Sequence, residues 1–438
     1  MMKFQPVKGM RDFLPQEAIL REKVFEKVKR VFERFGFSPA ITPSLEYYEV
    51  FANKFAIGEE NLENIYKFKD KSGRMLALRF DQTVPLARLI ANNPHLPKPF
   101  KRYEISRVWR YEEIKRGRYR EFWQCDIDIV GSRSMLADAE VIACALTAVR
   151  ELGFENVVMR INNRKILNAL LESIGIKESK HSVLRAVDKL DKIGVDGVKR
   201  ELFNLGLSEE QVNELLKTIS IKGDVKSVLE KIKFLEKFGK DGLIELEKLF
   251  EYLEAMVDKK YLLVDLSLAR GLDYYTSTIF ELSYEDKSIG SIAGGGRYDE
   301  MIGKFSGSRE SIPAVGIALG IERIIELLKE KEKPNVVTQI FVACVEKKLI
   351  NEAIKVAKRL REMGINVEVD LMERNLDKQL EYADKCKIPF VLMVGEEEVS
   401  SGLYKIRDMR DGKEVKTSLE RVKNFIKKFE CSGYTLVK

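Results

Sequence analysis

The chain has 438 residues, is 45% hydrophobic and 33% charged, and carries a formal net charge of +7 at pH 7. At about 100–200 residues per domain this is two to four domains, each with enough apolar material to close a core. No run approaches the ~18 uninterrupted apolar residues of a membrane helix and the start MMKFQPVKGMRDFLPQ has no apolar signal core, so a soluble cytoplasmic protein with no membrane partner is expected.

Five cysteines without a CxxC pair speak against a disulfide scaffold and against a thiolate zinc site. The two histidines, His95 in NNPHLPKP and His181 at the start of a charged helical pattern, read as surface residues. Neither setting suits a metal centre or a Ser-His-Asp relay, and no metal ligand is assigned. Chemistry in this chain must run on arginines, carboxylates, hydroxyls and bound cofactors.

Along the chain, Pro15 followed by Glu17 reads as a helix start, and Val24, Val28, Val31, Phe32 and Phe35 recur at helical spacing until Gly36. Pro39 and Pro43 confine the next extended stretch to a sheet edge or its end; it is either a dimer element or an ordinary peripheral strand. Arg74 to Phe80 alternates as a strand, and Phe100 to Val108 is another, leading into a polar turn. Phe122 to Val130 places Gln124, Asp126 and Asp128 on one face and Cys125, Ile127 and Ile129 on the other. Such a strand either lines a polar cleft or faces solvent. Met135 to Glu151 is an amphipathic helix, and Val157 to Ile161 a strand.

Residues 164–258 change character, with helical periods, short glycine turns, and 17 basic against 18 acidic side chains, which marks a separate helical module. Tyr261 to Leu268 is a buried-type strand, followed by ARGLDYYTSTIFE (269–281) and AGGGRYDEMIGKF (293–305). AVGIALGIERIIELL (314–328) runs from strand into helix, and KEKEKPN (329–335) is a charged linker. Beyond it, residues 336–438 read β-α-β-α-β-β-α, a compact α/β domain. The expected class is α+β: an antiparallel-sheet body from 1–163 and 259–328, with the helical module and the C-terminal domain as appendices.

Positive charge is concentrated. Between Lys98 and Arg120 nine Lys/Arg stand against three Glu, interleaved with Tyr103, Trp109, Tyr111 and Tyr119. This is either a solvated face or the footprint of an anionic ligand such as phosphate or nucleic acid. There is no GxxxxGK[ST] loop, and the triple glycine 294–296 lacks a GxGxxG context.

Five segments, LRFDQTVPLAR (78–88), VWRYEEIKRGRYREFWQCDIDIVG (108–131), ARGLDYY (269–275), AGGGRYD (293–299) and GIERIIEL (320–327), each bring an arginine or carboxylate near a strand end or strand-to-helix junction. Together they resemble the class II aminoacyl-tRNA synthetases, and within them the histidyl-tRNA synthetase family. Helix 18–36 with Pro43 resembles that class's motif 1, Arg110-Tyr111-Glu112 with its loop and following strand motif 2, and Gly320-Ile321-Glu322-Arg323 motif 3. ARGLDYY and AGGGRYD are similar to the two peptides peculiar to the histidine enzymes.

The resemblance implies a class II catalytic domain over 1–163 and 259–328, a helical insertion at 164–258 over the tRNA acceptor arm, and an anticodon-binding domain at 336–438. It implies ATP and Mg²⁺ as cofactors, and L-histidine, tRNA(His) and a second copy of the chain, paired through residues 18–55, as partners. In that chemistry the histidine carboxylate attacks the α-phosphorus of ATP. The protein then only positions groups and neutralises charge, which suits the always-protonated planar fork of arginine. By the same resemblance Arg110 and Arg270 are catalytic, meeting the α-phosphate from opposite sides, and Arg323 holds the γ-phosphate. Glu112 accepts from the adenine amino group, Phe122 stacks on the ring, and Arg118 and Arg120 meet the triphosphate or the acceptor end of tRNA. Asp81, Thr83 and Gln124 fix the α-ammonium of histidine; Asp128 and Tyr275 bond the imidazole nitrogens, with Tyr274 and Arg297 nearby. Asp at 81 and 128 departs from the Glu frequent among bacterial relatives and leans towards the archaeal and eukaryotic forms. The alternative is a catalytically silent, histidine-binding regulatory paralogue.

Overall fold

Two ten-residue strands, Phe100–Trp109 and Glu121–Val130, pair antiparallel along their whole length and form the spine of the larger sheet. The coordinates are a computed structural model that describes residues 4–52, 59–270, 274–285, 290–307, 310–329 and 336–430. Outside these lie Gly271 to Asp273 of the ARGLDYY segment, residues 53–55 of the expected dimer element, and 330–335 of the expected linker.

The nine-stranded sheet runs Ser38–Pro39, Phe100–Trp109, Glu121–Val130, Ala314–Gly320, Ala293–Arg297, Thr278–Tyr284, Val157–Asn163, Leu262–Asp265 and Lys222–Gly223. Pairing is antiparallel except where Ser38–Pro39 meets Arg102 and Tyr103, and where Val157–Asn163 meets Leu262–Asp265. Ser38–Pro39 is an edge, as its proline demands. The helix Pro15–Arg34 buries Val24, Val28, Val31 and Phe32, the stripe its spacing predicts. The helix Met135–Glu151 starts at Ser134, whose hydroxyl accepts from the Leu136 N–H at 3.2 Å. It is apolar nearly all round because the sheet covers one side and the helix Asp241–Met256 another.

Residues 164–256 are mainly helical, from Arg164–Ser173 to Asp241–Met256, with caps supplied by Asn163, Ser208 and Asp224. Their one described strand, Lys222–Gly223, pairs with Val264 and Asp265, so the helical segment also extends the sheet edge.

Several elements have no counterpart in the sequence reading. The helix Thr83–Asn92 is started by Asp81, whose carboxylate accepts from the Val84 N–H at 3.0 Å. Leu45–Tyr47 and Lys67–Lys69 flank Met75–Leu78 in a small separate sheet; both are short and largely exposed, so hydrophobic alternation does not announce them. The strand Glu414–Thr417, charged and exposed, is hidden for the same reason.

By contact the chain divides into two compact units, residues 1–11 with 24–327, and residues 12–23 with 328–438. The second holds a five-stranded sheet in the order Val367–Val369, Ile340–Cys344, Phe390–Val394, Tyr404–Asp408 and Glu414–Thr417, parallel across the first three. Ile340 and Val342 pack with Val356, Leu360 and Val422, while Phe341 and Ala343 pack with Ala383 and Ile388. That strand is buried on both faces, which explains its unbroken apolar run.

Candidate active site

The register of the two long strands builds the floor of the site. Arg102 faces Asp128, Glu104 faces Asp126 and Ser106 faces Gln124, so one face of the pair carries six polar side chains. Arg102, Glu104, Gln124, Asp126 and Asp128 are all buried, so this face lies in the interior and not against solvent.

Burial of so much charge is tolerated because most of it is paired. Arg102 places Nη1 3.0 Å from Glu104 Oε2 and Nη2 2.9 Å from Asp128 Oδ2. Arg79 adds Nη1 at 2.7 Å from Glu104 Oε1, and the Tyr298 hydroxyl donates to Asp128 Oδ1 at 2.5 Å. Among the described residues Arg102 Nε and Asp128 Oδ2 lack a hydrogen-bond partner, and so does Oδ1 of Asp126. Burial pushes its carboxyl well above the usual range, with Arg102 opposing and Asp128 and Glu104 adding. Burial likewise raises Asp128 against Arg102, and raises Asp81 against the Val84 N–H and Arg110. Arg79 and Tyr298 stand within LRFDQTVPLAR and AGGGRYD without an assigned role, and Arg102 and Glu104 escape a search for isolated motifs. The one trace of them is the alternation of charge in FKRYEIS opposite QCDID.

Aromatic hydroxyls stand beside this floor. The rings of Tyr274 and Tyr275 lie 4.7 Å apart, and Tyr274 meets Tyr298 edge-on at 6.1 Å. Burial raises the Tyr274 hydroxyl well above its ordinary range, and Tyr275 and Asp81 raise it further. Asp81, Asp128, Tyr274, Tyr275 and Tyr298 therefore form one cluster. Gly316 pairs with Asp128, and a Cβ there would overlap the Asp128 carboxylate; glycine is the residue that admits this approach. Thr83 is the first residue of the helix whose Val84 N–H donates to Asp81. Gln124 Oε1 is buried without a hydrogen-bond partner among the described residues, an acceptor still to be filled.

Arg297 differs from expectation. Its five donors go to Asp138, Asp299 and the carbonyls of Ser132 and Ser134, so the guanidinium braces the sheet against the helix Met135–Glu151. What Arg297 brings to the cluster is its neighbour Tyr298.

The remaining arginines gather. Arg110 donates from Nε to the Phe80 carbonyl at 3.0 Å, its guanidinium 4.4 Å from the Phe80 ring centre and 5.2 Å from that of Phe122. Arg118 grips Glu112 Oε2, Nε at 2.6 Å and Nη2 at 2.5 Å. Arg270 lies with Nη1 3.0 Å from Glu281 Oε2, and Arg323 donates to the Ser291 carbonyl. Burial lowers the Arg323 pKa, positive charge on Arg118, Arg110 and Arg270 lowers it further, and Glu281 opposes. Four guanidinium groups from three separate segments thus share one electrostatic neighbourhood. Like charges held this way are costly alone and mark the place of an anion.

A sequence model described as Histidyl-tRNA synthetase matches residues 9–324, and one described as Anticodon binding domain matches residues 339–429. The chain belongs to the histidyl-tRNA synthetase family. It is 40% identical to histidine–tRNA ligase 1 of Bacillus cereus over 97% of this chain and all of that one. With the histidine–tRNA ligase of Aeropyrum pernix it shares 41% over 95% of this chain and 96% of the other. The crystal structure of histidyl-tRNA synthetase from a Nostoc species superposes with a TM-score of 0.86 at 34% identity, covering 98% of this chain and 100% of that one. A Bacillus halodurans structure described as an ATP phosphoribosyltransferase regulatory subunit/histidyl-tRNA synthetase gives 0.74 at 28% identity over 87% of this chain and 97% of its own. The α+β architecture, with a large mainly antiparallel sheet and a separate C-terminal sheet, is that of the family.

The buried floor yields a test in pH. A carboxyl whose pKa is raised by folding favours the protonated state, so it costs stability as pH rises above its unfolded value of about 3.9. For Asp126 that cost is full once pH passes the raised native value. Asp126→Asn removes it. The variant should melt above the parent at pH 8, with the gap narrowing as pH falls towards 4. A gap constant across pH in calorimetry would show that Asp126 is not the strained carboxyl.

Proposed function

We propose that the chain ligates L-histidine to tRNA(His) in two steps, through a histidyl-adenylate, releasing pyrophosphate and then AMP. The observation that carries this reading is the gathering of Arg110, Arg118, Arg270 and Arg323 at one place, close to a buried cluster of carboxylates and tyrosines.

In the first step the histidine carboxylate attacks the α-phosphorus of ATP and pyrophosphate leaves in line. Arg110 and Arg270 hold the α-phosphate oxygens as negative charge shifts onto them, and Arg323 holds the γ-phosphate. One such donor contributes about 3–4 kcal/mol to the transition state. Phe122 stacks on adenine and Glu112 accepts from its amino group, with Arg118 between base and phosphates. Asp81, Thr83 and the unfilled acceptor of Gln124 take the α-ammonium. Asp128 and Tyr275 take the imidazole nitrogens, with Tyr274 as the wall. Asp128 arrives already braced by Arg102 and Tyr298, and a buried polar pocket of this kind rejects side chains that leave its groups unpaired. Mg²⁺ bound with the nucleotide would supply charge screening at the phosphates. Glu112 and Glu281, the carboxylates beside the arginines, are already paired with Arg118 and Arg270, which fits an ion held chiefly by phosphates and water.

In the second step the terminal ribose hydroxyl of tRNA attacks the adenylate carbonyl, with a phosphate oxygen of the adenylate accepting the proton. Residues 1–163 and 259–328 form the catalytic domain in this reading. Residues 164–258 reach the acceptor arm, and residues 336–438, after the linker 329–335, read the anticodon. The chain works in the cytoplasm as a homodimer paired through 18–55. No helix among the described residues is long and apolar enough to cross a membrane.

Exchange of pyrophosphate into ATP, measured with each of the twenty amino acids, should proceed with histidine alone. Exchange with none of them would sink the ligase reading and leave the regulatory paralogue suggested by the Bacillus halodurans likeness. Arg270→Ala should slow single-turnover adenylation by about 100–1,000-fold while histidine still binds, and Arg270→Lys should not restore it, because a point charge cannot reproduce the fork. An unchanged rate would refute the role. Sedimentation at micromolar concentration should show a dimer; a fully active monomer would end that part of the proposal.

A further inference from the structure

Glu281 has no role in the scheme above, yet it touches both ends of the arginine group. It lies on the strand Thr278–Tyr284, paired in register with Gly294 of the strand Ala293–Arg297. Its Oε2 stands 3.0 Å from Arg270 Nη1. Its Oε1 accepts from the Ser291 hydroxyl, and the Ser291 carbonyl accepts from Arg323 Nη1. One carboxylate and one serine therefore connect the two forks. The other charges facing Glu281 are Arg160, 3.8 Å away, and Asp188 at longer range. Arg160 is held elsewhere, donating to Asp265, Asp191 and Ser267.

Arg270 needs an anchor. Its backbone stands at φ +53°, a left-handed conformation uncommon outside glycine. Its long side chain would otherwise sample many rotamers, whereas a donor stabilises a transition state best when it is already in place. The guanidinium lies against Gly294, where a Cβ would overlap Nη1. The cross-strand pair Glu281–Gly294 thus supplies both the anchor and the room.

We propose that Glu281 is a positioning residue that holds the Arg270 fork in its place beside Arg323, so that the two meet a triphosphate at a fixed separation. This rests on the ligase reading. Glu281 touches no reacting atom in it and acts through Arg270. Removing its charge frees the Arg270 fork. A Cβ at 294 displaces the same fork, and since what moves is the far end of a flexible side chain, the strand itself stays intact.

The test uses the full chain with histidine and ATP. Glu281→Gln should lower the single-turnover adenylation rate by about 10–100-fold, with the KM for histidine changed by less than about threefold. Gly294→Ala should do the same, and both variants should keep the parent's melting temperature. The double variant Arg270→Ala/Glu281→Gln should be no slower than Arg270→Ala, because a group acting through Arg270 has nothing to act on once it is gone. A parental rate in Glu281→Gln overturns the proposal. So does a further loss in the double variant, which would show an independent role, and so does rescue of Glu281→Gln by raised Mg²⁺, which would make it a metal carboxylate. Absence of exchange in the unmodified chain overturns this proposal and the ligase reading together; an active parent with a silent Glu281→Gln effect overturns this one alone.

Discussion

The pairing of Arg102 with Asp128 across two neighbouring strands is the contact on which the rest of the site depends. Both are buried, and each answers to several partners: Arg102 to Glu104 and the Gln82 carbonyl, Asp128 to Tyr298. Charges inside a sheet are expensive, and losing one member of such a pair costs about 3–5 kcal/mol because the other is left uncompensated. A slip of one residue between these strands would turn every member of the ladder to the opposite face. The ladder and the register therefore enforce each other, and side chains on the same face inherit a fixed position.

Around that floor the molecule follows one device repeatedly. Glycine makes room for a neighbouring functional group, as Gly316 does for Asp128 on the next strand and Gly294 for Arg270. A second side chain then fixes the group that has moved in, Tyr298 in the first case and Glu281 in the second. Rigidity of this sort is what transition-state charge stabilisation needs, since donors that must reorganise during the reaction lose most of their effect. Family membership accounts for which residues are present. The paired strands account for why they hold still.

Much of this was legible beforehand. The stripe Val24, Val28, Val31 and Phe32, the alternation of Gln124, Asp126 and Asp128, and the strand-to-helix run 314–328 are local patterns, and the elements formed where the patterns stand. What failed to show were short exposed strands such as Lys67–Lys69 and Glu414–Thr417, whose residues carry no buried face to mark. The cluster of arginines was readable as five motifs in order, though not as a shared neighbourhood. Arg297 misled for a plain reason: its motif neighbour Tyr298 enters the cluster while its own fork turns to Asp138, 159 positions earlier.

Periodicity was enough for most of the elements and the fold class, and the motifs in their order for the resemblance to the family. Which side chains satisfy one another was decided only by tertiary structure, in the joining of Arg102 to Asp128, Arg270 to Glu281 and Arg297 to Asp138. The physical reason is range. Backbone preference and burial act on neighbours in the chain, whereas an ion pair is chosen by distance and dielectric in a folded interior, and neither exists until the sheet has set its register.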